Sequence, residues 1–189
     1  MIDIRSVRPD EWAAAMALTT RAFLHEPFLT NMCGSDVIER YSRARAFYAR
    51  TPYSAESLGA FIGKTIVGCI GIESSGHCHH CAAIAQVDDP STPLYQRNAT
   101  LAHLSQPPNH GWVGRVAVEP ALHGSGVGGQ LVVSALTRLA ELATPTALLD
   151  CELHRVSYYA TRGFVEVDRF EGSFNNTLAV MAAPTGELP

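Results

Sequence analysis

Apolar and polar residues alternate through Ile2–Val7, the two-residue repeat of a half-buried strand. Pro9, Asp10 and Glu11 then supply good first-turn helix residues. Trp12, Met16, Thr19 or Thr20, and Phe23 recur at helical spacing, and Pro27 is expected to stop that run. After Ser35 and Asp36, the positions Val37, Tyr41, Ala44 and Tyr48 mark a second amphipathic helix that ends before Pro52. Ser57–Gly63 and Thr65–Glu73 then read as two strands joined like a hairpin at Gly63 and Lys64.

From Ser74 to His110 the pattern dissolves. This stretch holds Pro90, Pro93, Pro107 and Pro108, few large apolar residues, and five of the eight histidines. A loop of that length inside a domain is usually functional, disordered or held by something. Order returns at Trp112–Val118, a strand, followed by a glycine-rich turn and a helix whose face is Val127, Leu131, Ala135, Leu139 and Leu142. Pro145 is expected to end it. Thr146–Asp150 reads as a buried strand and His154–Arg162 as a short helix. Phe164–Phe170 and Leu178–Ala183 read as a closing antiparallel pair around Asn175 and Asn176. No internal repeat is present. The pattern predicts an α/β fold with strands of mixed direction, in one domain over residues 1–189, with an insertion at 74–110.

Composition narrows the functional classes. The chain is 47% hydrophobic and 17% charged, ordinary values for a globular protein. Net charge is −4, which argues against nucleic acid or an anionic membrane as a bulk partner. No run of about 18 apolar residues occurs, so no membrane span is expected. The charged start, with Asp3, Arg5, Arg8 and Asp10, has no apolar core for a secretory signal. Cys33, Cys69, Cys78, Cys81 and Cys151 are odd in number and scattered, which suits a reducing cytoplasm better than a secreted disulfide framework.

Candidate chemistry concentrates in Val116–Val132. Gly124, Gly126, Gly128 and Gly129 lie between the end of a strand and the start of a helix. Glycines let backbone approach a ligand closely, and free N–H groups at a helix N-terminus favour phosphate. The bland alternative is a flexible turn that happens to be rich in glycine. There is no Lys-Ser/Thr pair for a P-loop. Gly124, Gly126 and Gly129 meet the dinucleotide spacing only by number, and the turn sits past the middle of the chain rather than after a first strand.

This segment resembles the GNAT superfamily of acyl-CoA-dependent N-acetyltransferases. Their signature is a strand ending in Val-x-Pro, then Arg or Gln, two residues, Gly, any residue, and Gly or Ala. Here Val118-Glu119-Pro120 is followed by His123-Gly124-Ser125-Gly126-Val127-Gly128, with His123 departing from the usual Arg or Gln. A second block, Tyr158-Tyr159-Ala160-Thr161-Arg162-Gly163-Phe164, is similar to the family's aromatic-Tyr-x-x-x-Gly-Phe segment. The resemblance covers nearly the whole chain except Ser74 to His110. It implies a mixed, mostly antiparallel twisted sheet flanked by helices, with the insertion falling between the third and fourth strands. It also implies acetyl-CoA as acyl donor, held by His123, Gly124, Ser125, Gly126, Val127, Gly128 and Gly129. Val116, Ala117 and Val118 would accompany the pantetheine arm, with Val116 and Val118 meeting it through their main chain. Tyr159 matches the usual general acid. A phenol of pKa about 10 can protonate a thiolate of pKa about 8.5, and positioned proton transfer contributes about 10²–10⁴-fold.

The family's glutamate in the first splayed strand is absent from Trp112–Val118. His110, Glu73, Asp150 and Glu152 are the candidate bases, with deprotonation through water as the alternative. Gly76-His77-Cys78-His79-His80-Cys81 raises the question of a metal. On an extended segment His77, His79 and Cys81 face one side and Cys78 and His80 the other, so the five cannot all bind one ion. Cys78 and Cys81 could form a knuckle completed by His103 and His110, whose spacing is wider than usual for zinc. The expectation is a loop without a metal. The leading function is N-acetylation of a small-molecule amine in the cytoplasm, by a monomer or a homodimer. The alternative is a non-catalytic acyl-CoA-binding or interaction module with a metal-held insertion.

Overall fold

The amphipathic segments become the elements of a mixed α/β fold in a computed structural model, which describes residues 1–50, 54, 56–74, 109–171 and 177–186. Strand β1 (Asp3–Ser6) leads through a 3-10 turn (Pro9–Glu11) into α1 (Trp12–Phe23), α2 (Pro27–Cys33) and α3 (Val37–Arg50). The hairpin β2 (Leu58–Ile62) and β3 (Thr65–Glu73) follows. After the insertion come β4 (His110–Val118), a 3-10 turn (Pro120–Leu122) and α4 (Val127–Glu141). Strand β5 (Thr146–Glu152), a 3-10 turn (Leu153–Arg155), α5 (Val156–Ala160), β6 (Val165–Glu171) and β7 (Thr177–Pro184) complete the chain. The hydrogen-bonded strand order is β1-β2-β3-β4-β5-β7-β6. Pairs β1–β2, β2–β3, β5–β7 and β6–β7 are antiparallel, while β4 and β5 are parallel.

Residue contacts divide the chain into two compact units, Met1–Ile72 with Val113–Ala135, and Glu73–Trp112 with Leu136–Pro189. In the first, a core of Ala15, Met16, Leu18, Leu29, Cys33, Ala44, Tyr48, Phe61, Cys69 and Ala117 is buried by α1, α2, α3 and the sheet. Tyr48 and Phe47 meet edge to face at 5.1 Å. Asp36 caps α3, its Oδ1 accepting from Ile38 N at 3.0 Å and Glu39 N at 2.9 Å. Glu11 holds the entry to α1. Its carboxylate takes two bonds from Arg5, at 2.7 and 2.8 Å, and one from the Arg8 backbone, and these partners pull its pKa down to about 2.

Two details differ from the pattern reading. Pro27 does not merely stop α1; it occupies the first turn of α2, where its missing N–H costs nothing and its fixed φ suits a helix. Helix α4 ends at Glu141, before Pro145, because Ala143 takes a positive φ of 54° and Thr144 N closes onto Leu139 O at 3.0 Å.

In the second unit, Trp112, Leu148, Phe170, Leu178, Val180 and Ala182 share one buried face. The parallel pairing of β4 with β5 runs through His110↔Thr146, Gly111↔Ala147 and Trp112↔Leu148. Strands β5 and β7 pair over seven residues each, from Thr146↔Pro184 to Glu152↔Leu178. Strand β6 pairs with β7 through a register shift between Glu166 and Asp168, and Val165 and Val167 remain more than half exposed.

Gly68 decides where α4 begins in the first unit. A Cβ there would lie 2.9 Å from Leu131 Cδ1, 3.0 Å from Val127 Cγ1 and 3.4 Å from Ala117 O. The bare glycine lets the first turns of α4 lie directly on β3, burying Val127 and Leu131 completely or nearly so. Gly68→Ala should therefore cost about 1–2 kcal/mol by overpacking, read as a lower urea midpoint with an unchanged denaturant slope. An unaltered midpoint would show that this seat is looser than the distances require.

Candidate active site

The end of β4 is built to deliver the glycine-rich turn. Arg115, inside the strand, has a positive φ of 51°. That left-handed residue breaks the alternation, so Gly114, Arg115 and Val116 are all half-buried before Ala117 returns to the core. Beyond Val118, Glu119 N donates to Val67 O at 2.9 Å. The Glu119 carboxylate receives Arg21 Nη2 at 2.7 Å, which ties the turn to α1. Both side chains are partly exposed, so this pair orients more than it stabilises.

The turn then consumes some of its own polar groups and leaves others open. His123 N bonds Pro120 O, and Ser125 N and Oγ both bond Leu122 O, at 3.2 and 2.6 Å. Gly124 and Gly126 have φ of 80° and 87°, conformations that favour glycine over any other residue. Gln130 N bonds Gly126 O at 3.1 Å, the first turn of α4. The N–H groups of Val127, Gly128 and Gly129 precede it and so have no acceptor within the helix. They sit at the positive end of a 15-residue helix. Residues His123–Gly126 are exposed, and a Cβ on Gly124 would meet nothing within 4 Å. This is an open, glycine-lined row of main-chain donors, suited to a phosphate or pyrophosphate.

His123 folds away from that row. Its Nε2 lies 3.1 Å from Val118 O, a contact in which the ring nitrogen donates to the carbonyl. The side chain that departs from the family pattern therefore serves the main chain at the end of β4, and the exposed donors around it are backbone groups.

Tyr159 lies in the second unit, on the five-residue helix α5. Its ring meets Tyr158 edge to face at 5.0 Å and Phe164 at 5.9 Å. Phe164 is 2% exposed and anchors the cluster. Burial raises the Tyr159 pKa strongly, helped by the negative charge available to Cys151, Tyr158 and Asp150 and opposed by Arg155. The phenol is thus a neutral donor throughout the physiological range. Cys151, on β5, is pushed up to about 12, chiefly by burial and then by Asp150 and Glu166. Its thiol is protonated and lies 3.7 Å from Met181 Sδ, so it is not an activated nucleophile.

The four candidate bases are spread over three strands. Glu73 ends β3, His110 opens β4, and Asp150 and Glu152 lie on β5. All four are partly buried. Glu152 Oε2 is 3.3 Å from His154 Nδ1. Asp150 is the one whose charge is felt at Tyr159. Gly76–Cys81 and His103, the segment and residue raised as metal ligands, lie outside the described residues.

The acetyltransferase (GNAT) family model matches residues 25–164, well over half of the chain. The protein belongs to the GNAT acetyltransferase family. No curated protein sequence matches the chain significantly. Among solved structures, it is similar to a Drosophila melanogaster polyamine N-acetyltransferase that forms N-acetylagmatine, with TM-score 0.73 and 17% identity over 97% of this chain and 100% of that one. It is similar to an agmatine N-acetyltransferase in its apo form, with TM-score 0.70 and 15% identity over 97% and 99% of the two chains. A third similar structure is a putative acetyltransferase from Salmonella typhimurium with its cofactor acetyl-CoA, with TM-score 0.59 and 16% identity over 100% and 96%. At these identities the structural likeness shows the fold.

The environment of Tyr159 sets its titration. The difference in phenolate absorbance between wild type and Tyr159→Phe should show Tyr159 ionising above pH about 10, the ordinary tyrosine value. A half-ionised Tyr159 at or below that pH would contradict the buried, neutral phenol.

Proposed function

We propose that this protein is an acetyl-CoA-dependent N-acetyltransferase that acetylates the amine of a small molecule, with Tyr159 as general acid. The observation that carries the reading is the row of main-chain donors at Val127, Gly128 and Gly129, at the start of α4 behind the exposed Gly124–Gly126 turn, in a chain of the GNAT family. In this reading the pyrophosphate of acetyl-CoA takes those donors. The pantetheine arm runs along Val116, Ala117 and Val118, and His123, Ser125 and Val127 frame the turn. Residues 1–189 then act as one acetyltransferase domain.

The chemistry needs little from the protein beyond placement. The amine nitrogen attacks the thioester carbonyl carbon, a C–N bond forms, and the C–S bond breaks. The thiolate of CoA leaves with a proton from the Tyr159 hydroxyl, the proton shed by the amine passes to solvent or to a base such as Asp150 or Glu152, and the Tyr159 phenolate regains a proton from solvent. Holding amine and thioester in register removes much of the entropic barrier. Burial keeps the phenol protonated but also makes it a weaker acid, so proton transfer to the departing thiolate requires that the thiolate share the same desolvated site and have its own proton affinity raised there.

The acceptor class follows from charge. A net charge of −4 favours a cationic amine, and two of the similar structures are enzymes for polyamine or agmatine. Cys33, Cys69 and Cys151 are buried thiols that form no disulfide with one another, which fits a reducing, cytoplasmic setting.

Thiol release from acetyl-CoA across a panel of small amines tests the activity. Tight CoA binding with no amine-dependent release would replace this reading with a non-catalytic acyl-CoA-binding module. In the active protein, Tyr159→Phe should lower kcat by about 10²-fold with little change in the Kd for CoA. An unchanged kcat would remove Tyr159 from the role of acid.

A further inference from the structure

Helix α5 is only five residues long, too short to hold itself in place by its own hydrogen bonds. Something outside it must fix Tyr159, and one side chain makes contacts suited to that task. Arg162 lies two residues beyond the helix, with its guanidinium carbon 3.7 Å from the centre of the Tyr158 ring. Its Nη1 donates to the Tyr158 carbonyl and, at 3.0 Å, to Thr161 Oγ1. Thr161 Oγ1 donates to the same Tyr158 carbonyl at 2.9 Å. The Arg162 backbone N–H donates to the Tyr159 carbonyl at 2.9 Å, and Phe164 N approaches that carbonyl at 3.3 Å.

These contacts form a stack with a direction. The guanidinium covers the Tyr158 ring, Tyr158 meets Tyr159 at an interplanar angle of 86°, and Tyr159 meets Phe164 at 70°. Phe164 is buried, while Tyr158 is only half-buried. Without a cover, Tyr158 could swing toward solvent and release one wall around the Tyr159 ring. A cation over an aromatic face in a partly desolvated place is worth about 0.5–2 kcal/mol, enough to hold one ring rotamer. The bonds to the Tyr158 and Tyr159 carbonyls satisfy acceptors that α5 leaves open at its C-terminal end.

We propose that Arg162 is a positioning residue for Tyr159, acting through Tyr158 to fix the phenol at one place. The proposal rests on the reading of Tyr159 as general acid for its kinetic consequence, but not for its structural one. A planar guanidinium can lie over a ring and donate from its edge at the same time; an ammonium does only part of this.

The test pairs a kinetic cycle with a direct view of the ring. Arg162→Ala should lower kcat about 10- to 100-fold, the effect of a catalytic group displaced by a fraction of an ångström to an ångström, with little change in KM for acetyl-CoA. Arg162→Lys should recover part of that loss. In a Tyr159→Phe background, Arg162→Ala should cost nothing further, because the group it positions is gone. With 3-fluorotyrosine incorporated, the fluorine resonance of Tyr159, assigned by its loss in Tyr159→Phe, should move toward the position of an exposed tyrosine in Arg162→Ala.

An equal loss in both backgrounds, or an unmoved Tyr159 resonance in a folded Arg162→Ala protein, would overturn the proposal. Should Arg162→Ala not fold, Arg162→Lys is read by the same resonance with the same two outcomes. If Tyr159→Phe alone left kcat unchanged, the acid reading would fail, and the fluorine resonance would still decide whether Arg162 positions the ring.

Discussion

A helix cannot bond its own first N–H groups, and this structure holds that deficit open rather than filling it. The turn before α4 uses Ser125 to occupy the Leu122 carbonyl and His123 to occupy the Val118 carbonyl. Val127, Gly128 and Gly129 keep their N–H groups free of helical acceptors. An Asn, Asp, Ser or Thr at the cap position would close such a row with its own side chain. Gly126 stands there instead, at a φ of 87°, and offers no side chain to compete with a ligand. The rest of the first unit keeps this row in place: Gly68 seats the helix on β3, and Glu119 is pinned by Val67 and Arg21.

The second unit solves a different problem. The Tyr159 phenol stays neutral because burial disfavours the phenolate. Its ring packs against Tyr158 and Phe164, and the Arg162 guanidinium covers Tyr158. Cys151, whose charge would be felt at Tyr159, is held as a thiol by burial.

Much of this was legible in the chain. Periodicity located every strand of the sheet, because alternating apolar residues must face a core whatever surrounds them. The glycine spacing pointed to the turn that the structure places before α4, and the role proposed for Tyr159 came from the likeness of Tyr158–Phe164 to a family segment. What escaped has physical reasons. Helix α2 was hidden because proline is both a stop signal and a favoured first-turn residue, and Pro27 is the second. The seat at Gly68 depends on how closely two elements approach, which no linear pattern encodes. The positive φ of Arg115 is invisible because arginine carries no signature of it. Arg40 carries no sequence signal of burial, yet it is 6% exposed, with Nη1 donating to Gly34 O and Ser35 O beyond the end of α2. The contact of the His123 ring with Val118 O depends on the fold of the turn, which the linear pattern does not encode.

The central claim is that main-chain N–H groups of the glycine-rich turn hold the pyrophosphate of acetyl-CoA. Amide chemical shifts of 15N-labelled protein titrated with CoA test it most directly. The account predicts that the amides of Gly124, Gly126, Gly128 and Gly129 move furthest and saturate together. CoA binding that leaves those four amides unmoved would contradict it.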